Sequence, residues 1–329
     1  MLLKPHRLTA TLDAAQDLVP DVRLFTIRPD QPVGFELGSH IDIDLETEGK
    51  KLRRSYSLIG EAPVNGCIQI AVKLADASRG GSKAMWALKP GDTLSISPPV
   101  SNFPLGFNAP AYLLMAGGIG VTPILGMARR LKRLGADVAM IYGGRSRAFM
   151  PFLDELSVLL GERLSVAADD EGKAIDIAGS IATLPAGGEL YVCGPSGMLN
   201  AVREAWKASG RPATLLRFET FGDSGSAQAE AFTVRLADHD GREVAVAENQ
   251  SIVEALRQSG IPMVTGCERG ECGLCLTKVV GHDHAIDHRD VFLSAEEKTA
   301  SEKLCACVSR SKGTVTIDTG FRPAPVGAG

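Results

Sequence analysis

The chain has 329 residues, 44% of them hydrophobic and 22% charged, and carries a formal net charge of −4. That length supports two or three domains with cores of their own, and the composition is that of an ordinary globular protein. Near-neutral charge leaves no electrostatic footprint for nucleic acid, and no apolar run is long enough to span a membrane.

The seven cysteines are an odd number in a long chain, and residues 1–10 lack an apolar core of signal length, so a cytoplasmic protein without a disulfide framework is expected. The charge is unevenly spread. Residues 228–329 contain 11 Lys and Arg against 15 Asp and Glu, which accounts for the whole excess and would steer a partner with a basic face toward that end.

Residues 22–104 read as short strands, over 22–28, 40–45, 52–59, 68–74 and 93–96. Turn residues separate them at Pro29-Asp30, Glu48-Gly49, Asn65-Gly66 and Gly91-Asp92. Short antiparallel strands of this kind predict a small barrel, interrupted by a helix over 81–88. Two segments in it have chemical character. In Arg54-Ser55-Tyr56-Ser57 the arginine can clamp a phosphate, the ring can lie against a planar cofactor and the hydroxyl can bond a ring nitrogen. In Ser78-Arg79-Gly80-Gly81-Ser82 the glycines allow close backbone approach just ahead of a helix, where an anion can sit. Each segment alone has an ordinary alternative, a chance strand sequence or a plain turn.

From Ala111 the pattern becomes α/β. A buried strand over 112–116 runs through Gly117-Gly118-Ile119-Gly120-Val121-Thr122-Pro123 into a helix over 124–134, with Thr122 suited to the N-cap and Pro123 to the first turn. Strands over 138–142, 164–167, 190–192 and 214–218 alternate with helices over 151–160 and 198–208. This order predicts a parallel sheet that takes its ligand at the carboxyl ends of the strands. The glycine turn departs from G-x-G-x-x-G but still offers close approach and a helix N-terminus to a pyrophosphate. Cys193 ends a strand at the same crevice, and its spacing alone reads as a buried structural thiol. Arg145 and Arg147, after the second strand of this unit, could meet a nucleotide 2′-phosphate.

Residues 222–231 are small and polar and read as a linker. Beyond them come a hairpin turning at Asp240-Gly241 between 232–236 and 242–246, and a helix opened by the capping box Ser251-Ile252-Val253-Glu254. After Gly260-Ile261-Pro262 stands Gly266-Cys267-Glu268-Arg269-Gly270-Glu271-Cys272-Gly273-Leu274-Cys275. C-x4-C-x2-C with a distant further cysteine is the plant-type ligand spacing of a 2Fe-2S cluster. Zinc sites usually pair two short knuckles instead. A strand over 276–280 and an acidic helical stretch over 294–304 lead to Cys305 and Cys307, and either can be the fourth ligand on sequence grounds.

Arg-x-Tyr-Ser, the Gly-Gly-x-Gly-x-Thr-Pro turn, Cys-Gly-Pro and C-x4-C-x2-C stand in one order, and together they make the whole chain resemble the phthalate dioxygenase reductase family, which includes vanillate demethylase reductase. The resemblance implies a multidomain chain. An antiparallel β-barrel flavin domain (1–108) would come first, an α/β parallel-sheet NAD domain (109–224) second, a linker (225–231) next, and an α+β plant-type ferredoxin domain (232–329) last. By the same resemblance Arg54 contacts an FMN phosphate, Tyr56 and Ser57 the isoalloxazine, and Arg79, Gly80, Gly81 and Ser82 complete the phosphate cradle. Gly118, Gly120 and Thr122 line the NADH pyrophosphate and nicotinamide region, Cys193 lies near the nicotinamide, and Phe221 in Phe218-Glu219-Thr220-Phe221 stacks beside the flavin. Cys267, Cys272, Cys275 and Cys307 hold the cluster. The separation of Asp287-His288-Arg289-Asp290 from Cys307-Val308-Ser309-Arg310 is that of the family if Cys307 is the ligand. Two surplus residues around 282–285 keep Cys305 open.

Such a chain moves electrons from NADH to FMN, which accepts hydride, and on to a cluster that takes one electron at a time, at about −400 mV for plant-type clusters. No side chain need act as acid or base. The implied partner is a terminal Rieske oxygenase. The chain's own histidines include no Cys-x-His or Cys-x2-His pair, and His282, His284 and His288 are expected on a wet loop. The alternatives are an FAD reductase serving another hydroxylase, in which the ferredoxin domain usually comes first, and a zinc- and dinucleotide-binding scaffold without turnover.

Overall fold

The computed structural model describes residues 7–47, 50–75, 80–221, 230–248 and 250–320. Arg79 and most of the expected linker lie outside these. The chain folds as two compact units, residues 1–221 and 222–329, and the first contains two separate sheets. No helix among the described residues is long and apolar enough to cross a membrane.

The first sheet contains β1 (Leu8–Val19), β2 (Val22–Pro29), β3 (Ser39–Thr47), β4 (Lys50–Ser57), β5 (Ile68–Lys73), β6 (Thr93–Ile96) and the short β7 (Val100–Ser101). Its order is β4-β3-β6-β1-β2-β5, with β7 on β3 and every pairing antiparallel. Just past β4, the Ile59 N–H donates to the Gln69 carbonyl on β5 at 2.9 Å and brings the two edge strands together as a barrel. Phe25, Ile27, Ile41, Ile43, Ile68, Ile70 and Ile96 fill the interior with Met85 of α1 (Gly81–Ala87). β1 was not foreseen. Leu8, Ala10 and Leu12 alternate inward, but Ala, Asp and Gln dominate the rest, and irregularities after Leu12 and Asp17 break the two-residue period.

The second sheet, β10-β9-β8-β11-β12, is wholly parallel. Its strands are β8 (Tyr112–Gly117), β9 (Val138–Gly144), β10 (Leu164–Ala168), β11 (Glu189–Cys193) and β12 (Leu216–Glu219), interleaved with α2 (Val121–Arg133), α3 (Leu153–Leu160), α4 (Ile177–Thr183) and α5 (Ser196–Ala208). Central β8 is buried at every position, as a strand covered on both faces must be. α2 begins three residues earlier than expected, with Gly120 at the N-cap, so Thr122 lies inside the first turn. α4, which the sequence reading missed, is short and starts where Asp176 accepts from the Gly179 N–H.

The second unit has a mixed sheet, β14-β13-β17-β15-β16. It comprises β13 (Phe232–Leu236), β14 (Arg242–Val246), β15 (Leu276–His282), β16 (Lys303–Cys305) and β17 (Thr314–Asp318), with α6 (Ile252–Gln258) and α7 (Ala295–Ala300). β13 and β17 run parallel and the other neighbours antiparallel. In the loop 237–241 that joins β13 to β14, Asp240 and Gly241 are both at positive φ (54° and 71°) and the Arg242 N–H donates to the His239 carbonyl at 2.9 Å, which closes a primed turn. The expected acidic helix opens with its own capping box, Ser294 with Glu297, but stops at Ala300, where Ser301 turns left-handed at φ 50°, and Leu304 lies on β16 instead.

In α6 the Ser251 hydroxyl accepts from the Glu254 N–H at 3.1 Å and the Glu254 carboxylate accepts from the Ser251 N–H at 2.8 Å. Ser251→Ala is expected to cost the helix about 1 kcal/mol, read as roughly fivefold faster hydrogen exchange of its first-turn amides.

Candidate cofactor sites

In the barrel, β4 presents the first motif. Its register sets Arg54 opposite Ile43, Tyr56 opposite Ile41 and Ser57 opposite His40. The Arg54 stem lies across the start of α1. A Cβ on Gly81 would meet its Cγ and Nε at 2.9 and 2.8 Å, so the glycine is needed for that crossing. Among the described residues no carboxylate forms a salt bridge with Arg54; its Nη1 donates to the Arg53 carbonyl at 2.8 Å. Gly80 caps α1 at φ 94°, and Ser82 accepts from the Ala75 N–H at 3.2 Å. Burial pushes the Tyr56 phenol well above its ordinary range, so it is neutral.

Ser57 is buried and donates to Glu219 Oε2 at 3.1 Å. Glu219 ends β12 and is 1% exposed, so this bond ties the rim of the barrel to the crevice end of the parallel sheet across 162 positions. Glu219 stands within the aromatic segment Phe218-Glu219-Thr220-Phe221, and nothing local in the sequence marks Ser57 as its partner. Phe221 follows it and is 36% exposed.

At the crevice, the carbonyl ends of β8 and β11 nearly touch. A Cβ on Gly120 would lie 2.2 Å from the Cys193 carbonyl oxygen, and one on Gly117 would strike Pro195 at 2.5 Å. Gly118 has φ 53° and open space around it, leaving the turn accessible to a ligand. Tyr142, fully buried on β9, has its hydroxyl 3.2 Å from the Gly118 carbonyl and 3.0 Å from that of Pro151, and so fixes the turn from beneath. Thr122 caps nothing, since its hydroxyl donates to the Ile119 carbonyl at 3.0 Å. Cys193 is completely buried. α2 has no acidic side chain in its first turn and Arg130, Lys132 and Arg133 in its last, so its dipole favours an anion at the glycine turn.

In the second unit the loop cysteines fall into pairs. Cys267 and Cys272 lie toward solvent. The Cys267 N–H points at Cys272 Sγ, and the Arg269 and Glu271 N–H groups at Cys267 Sγ, each at 3.4 Å. Cys275 and Cys307 are buried with sulfurs 3.1 Å apart, and the Gly270 N–H donates to Cys307. Cys305 also reaches Cys275, from a fully buried place on β16 opposite Leu276. Hydrogen bonds from Cys305 and then Cys307 hold the Cys275 thiol well below its ordinary range, and push those two donors up. Among the described residues no three His, Cys, Asp or Glu side chains converge on a single-ion site. Two thiol pairs with amide donors aimed at sulfur suit a binuclear cluster, which takes two ligands per iron.

His282 and His284 are exposed, as expected. His288 is not: its side chain is 6% exposed, its Nε2 lies 3.2 Å from the Ser301 hydroxyl, and burial depresses its pKa.

Comparison with known proteins agrees with this geometry. Residues 9–104 match the family described as an oxidoreductase FAD-binding domain, and residues 236–312 that described as a 2Fe-2S iron-sulfur cluster binding domain. The chain is thus an iron–sulfur flavoprotein oxidoreductase. It is 37% identical over 303 residues to tetrachlorobenzoquinone reductase of Sphingobium chlorophenolicum, covering 89% of this chain and 91% of that one. It is 38% identical over 288 residues to vanillate O-demethylase oxidoreductase of Pseudomonas putida, covering 86% and 90%. The solved structure of phthalate dioxygenase reductase superposes with a TM-score of 0.77 at 30% identity, over 95% of this chain and 98% of that one. The chain belongs to the phthalate dioxygenase reductase family and is an electron-transfer reductase.

Gly120→Ala tests the crevice packing. With the Cys193 carbonyl in the way, the variant is expected to lose about 1–3 kcal/mol of stability, visible as an earlier unfolding transition of the first unit in calorimetry.

Proposed function

We propose that the chain draws hydride equivalents from NADH onto FMN and passes single electrons through a 2Fe-2S cluster to a Rieske-type terminal oxygenase in the cytoplasm. The observation that carries this reading is the pairing of Cys267 with Cys272 and of Cys275 with Cys307 in a chain that also holds a flavin barrel and a parallel sheet. It is supported by likeness to phthalate dioxygenase reductase, whose structure is described as a modular one for electron transfer from pyridine nucleotides to [2Fe-2S]. Relatives named as a phenoxybenzoate dioxygenase subunit and a vanillate O-demethylase oxidoreductase support an oxygenase as the acceptor.

In this reading 1–108 is the flavin domain, 109–224 the nucleotide domain and 232–329 the cluster domain, joined by 225–231. Arg54, unpaired with any described carboxylate, clamps the FMN phosphate with Arg79, Gly80, Gly81 and Ser82. Tyr56, Ser57 and Phe221 contact the ring system, and the Ser57–Glu219 bond fixes the hydroxyl's direction. Gly118, Gly120 and Thr122 shape the nucleotide turn while Cys193 underlies the nicotinamide. The flavin supplies the exchange between two-electron and one-electron chemistry. The chain's residues hold the reactants in place and keep water out.

A spectrum of the purified protein with flavin and iron–sulfur bands that bleach on anaerobic NADH addition is expected, and a colourless or zinc-loaded protein would sink the proposal. Chromatography of the released flavin should give FMN, not FAD. Cys307, with its amide donor from the loop, is taken as the fourth ligand. Cys307→Ser should lose the cluster absorbance, while Cys305→Ser should retain most of it. The reverse result transfers the role to Cys305. A second reading, a quinone as acceptor, is favoured by the tetrachlorobenzoquinone reductase relative. Fast turnover with a halogenated quinone and none with any oxygenase would select it.

A further inference from the structure

Resting on NADH as the donor, we propose that Glu171 is a specificity-determining residue that excludes a nucleotide 2′-phosphate by occupying Arg147. In a sheet of this topology the pyrophosphate lies at the end of the first strand and the adenosine ribose at the end of the next, where an acidic residue bonds a 2′-hydroxyl or an arginine accepts a 2′-phosphate. Here those ends are β8, with its glycine turn, and its neighbour β9.

Both arginines after β9 are engaged. Arg147 Nε donates to Glu171 Oε1 at 2.5 Å, and Nη2 lies 3.5 Å from Oε2. Arg145 donates to Asp21 at 3.1 Å and stacks on the Phe149 ring at 3.6 Å. Glu171 stands on the turn after β10, the next strand over, behind Asp169 and Asp170. The Asp170 N–H donates to the Arg145 carbonyl at 3.1 Å, so the two turns are pinned together. Lys173 Nζ adds a second cation 3.1 Å from Glu171.

The Arg147 and Glu171 side chains are 48% and 33% exposed, so their ion pair contributes little to stability and its removal leaves the fold intact. Its effect on a ligand is larger. A 2′-phosphate brings a charge of about −1.5 to −2, and to bind at Arg147 it must displace Glu171 and approach Asp170, whose charge also acts on Arg147. A ribose hydroxyl meets no such opposition, and the Glu171 carboxylate can accept from it.

The test uses the flavin- and cluster-loaded protein with 5′-AMP and 2′,5′-ADP as probes in calorimetric titration, beside NADH and NADPH kinetics. Wild type is expected to bind 5′-AMP at least about tenfold more tightly than 2′,5′-ADP, Glu171→Gln to shift that ratio about tenfold toward 2′,5′-ADP, and Glu171→Gln/Arg147→Ala to abolish the gain. The NADPH-to-NADH ratio of kcat/KM should move in parallel. A ratio within about twofold of wild type in Glu171→Gln, or a gain that survives loss of Arg147, overturns the proposal. Failure of NADH to bleach the wild-type flavin overturns the donor assignment itself, a separate readout.

Discussion

The approach of the Cys193 carbonyl to Gly120 sets the geometry on which the nucleotide crevice depends. Two parallel strands that end side by side leave room for a ligand only if the chain between them turns without side chains in the gap. At Gly120 a methyl group would sit 2.2 Å from that oxygen. The glycines of this turn do not reproduce the common dinucleotide fingerprint, yet they meet the same demand by another spacing: backbone close to a phosphate and a helix N-terminus behind it. Tyr142, buried on the adjacent strand with its hydroxyl on the Gly118 carbonyl, keeps the open part of the turn from collapsing into the sheet.

What could be read from the sequence was local. The capping box at Ser251, the Asp240-Gly241 hairpin and the buried run of β8 each express a rule that acts within ten residues, and each stands in the structure as expected. β1 escaped because its alanines and aspartates suit a strand only when neighbours on both sides supply the hydrogen bonds, as β2 and β6 do here. The N-cap assignment of Thr122 failed for a related reason. A 3-10 turn over Gly118–Gly120 already begins the coil, so the helix needs no side-chain cap at Thr122.

The long-range polar contacts were illegible. Ser57 and Glu219 are brought together by two sheets whose order is set elsewhere, and Glu171 meets Arg147 because β10 lies beside β9. His288 reads as a loop histidine in a hydrophilic segment, but the fold buries it against Ser301 and Asp290. In each case the residue type was informative and its environment was not, since burial comes from tertiary packing rather than from neighbours in the chain.

The two thiol pairs differ in a way that bears on how charge can be carried there. Cys275 and Cys307 sit in the core of the second unit, where hydrogen bonds from Cys305 and Cys307 favour ionised sulfur at Cys275 and disfavour it at Cys307. Cys267 and Cys272 lie toward solvent and receive three loop N–H groups, which point at their sulfurs. Leu274 and Phe292, packed against Gly266 and Gly273, remain more than 40% exposed beside this pair, at 55% and 43%. The loop therefore places its better-solvated sulfurs and its apolar surface together, and keeps the buried pair as the anchor that joins β15 and β16 to it.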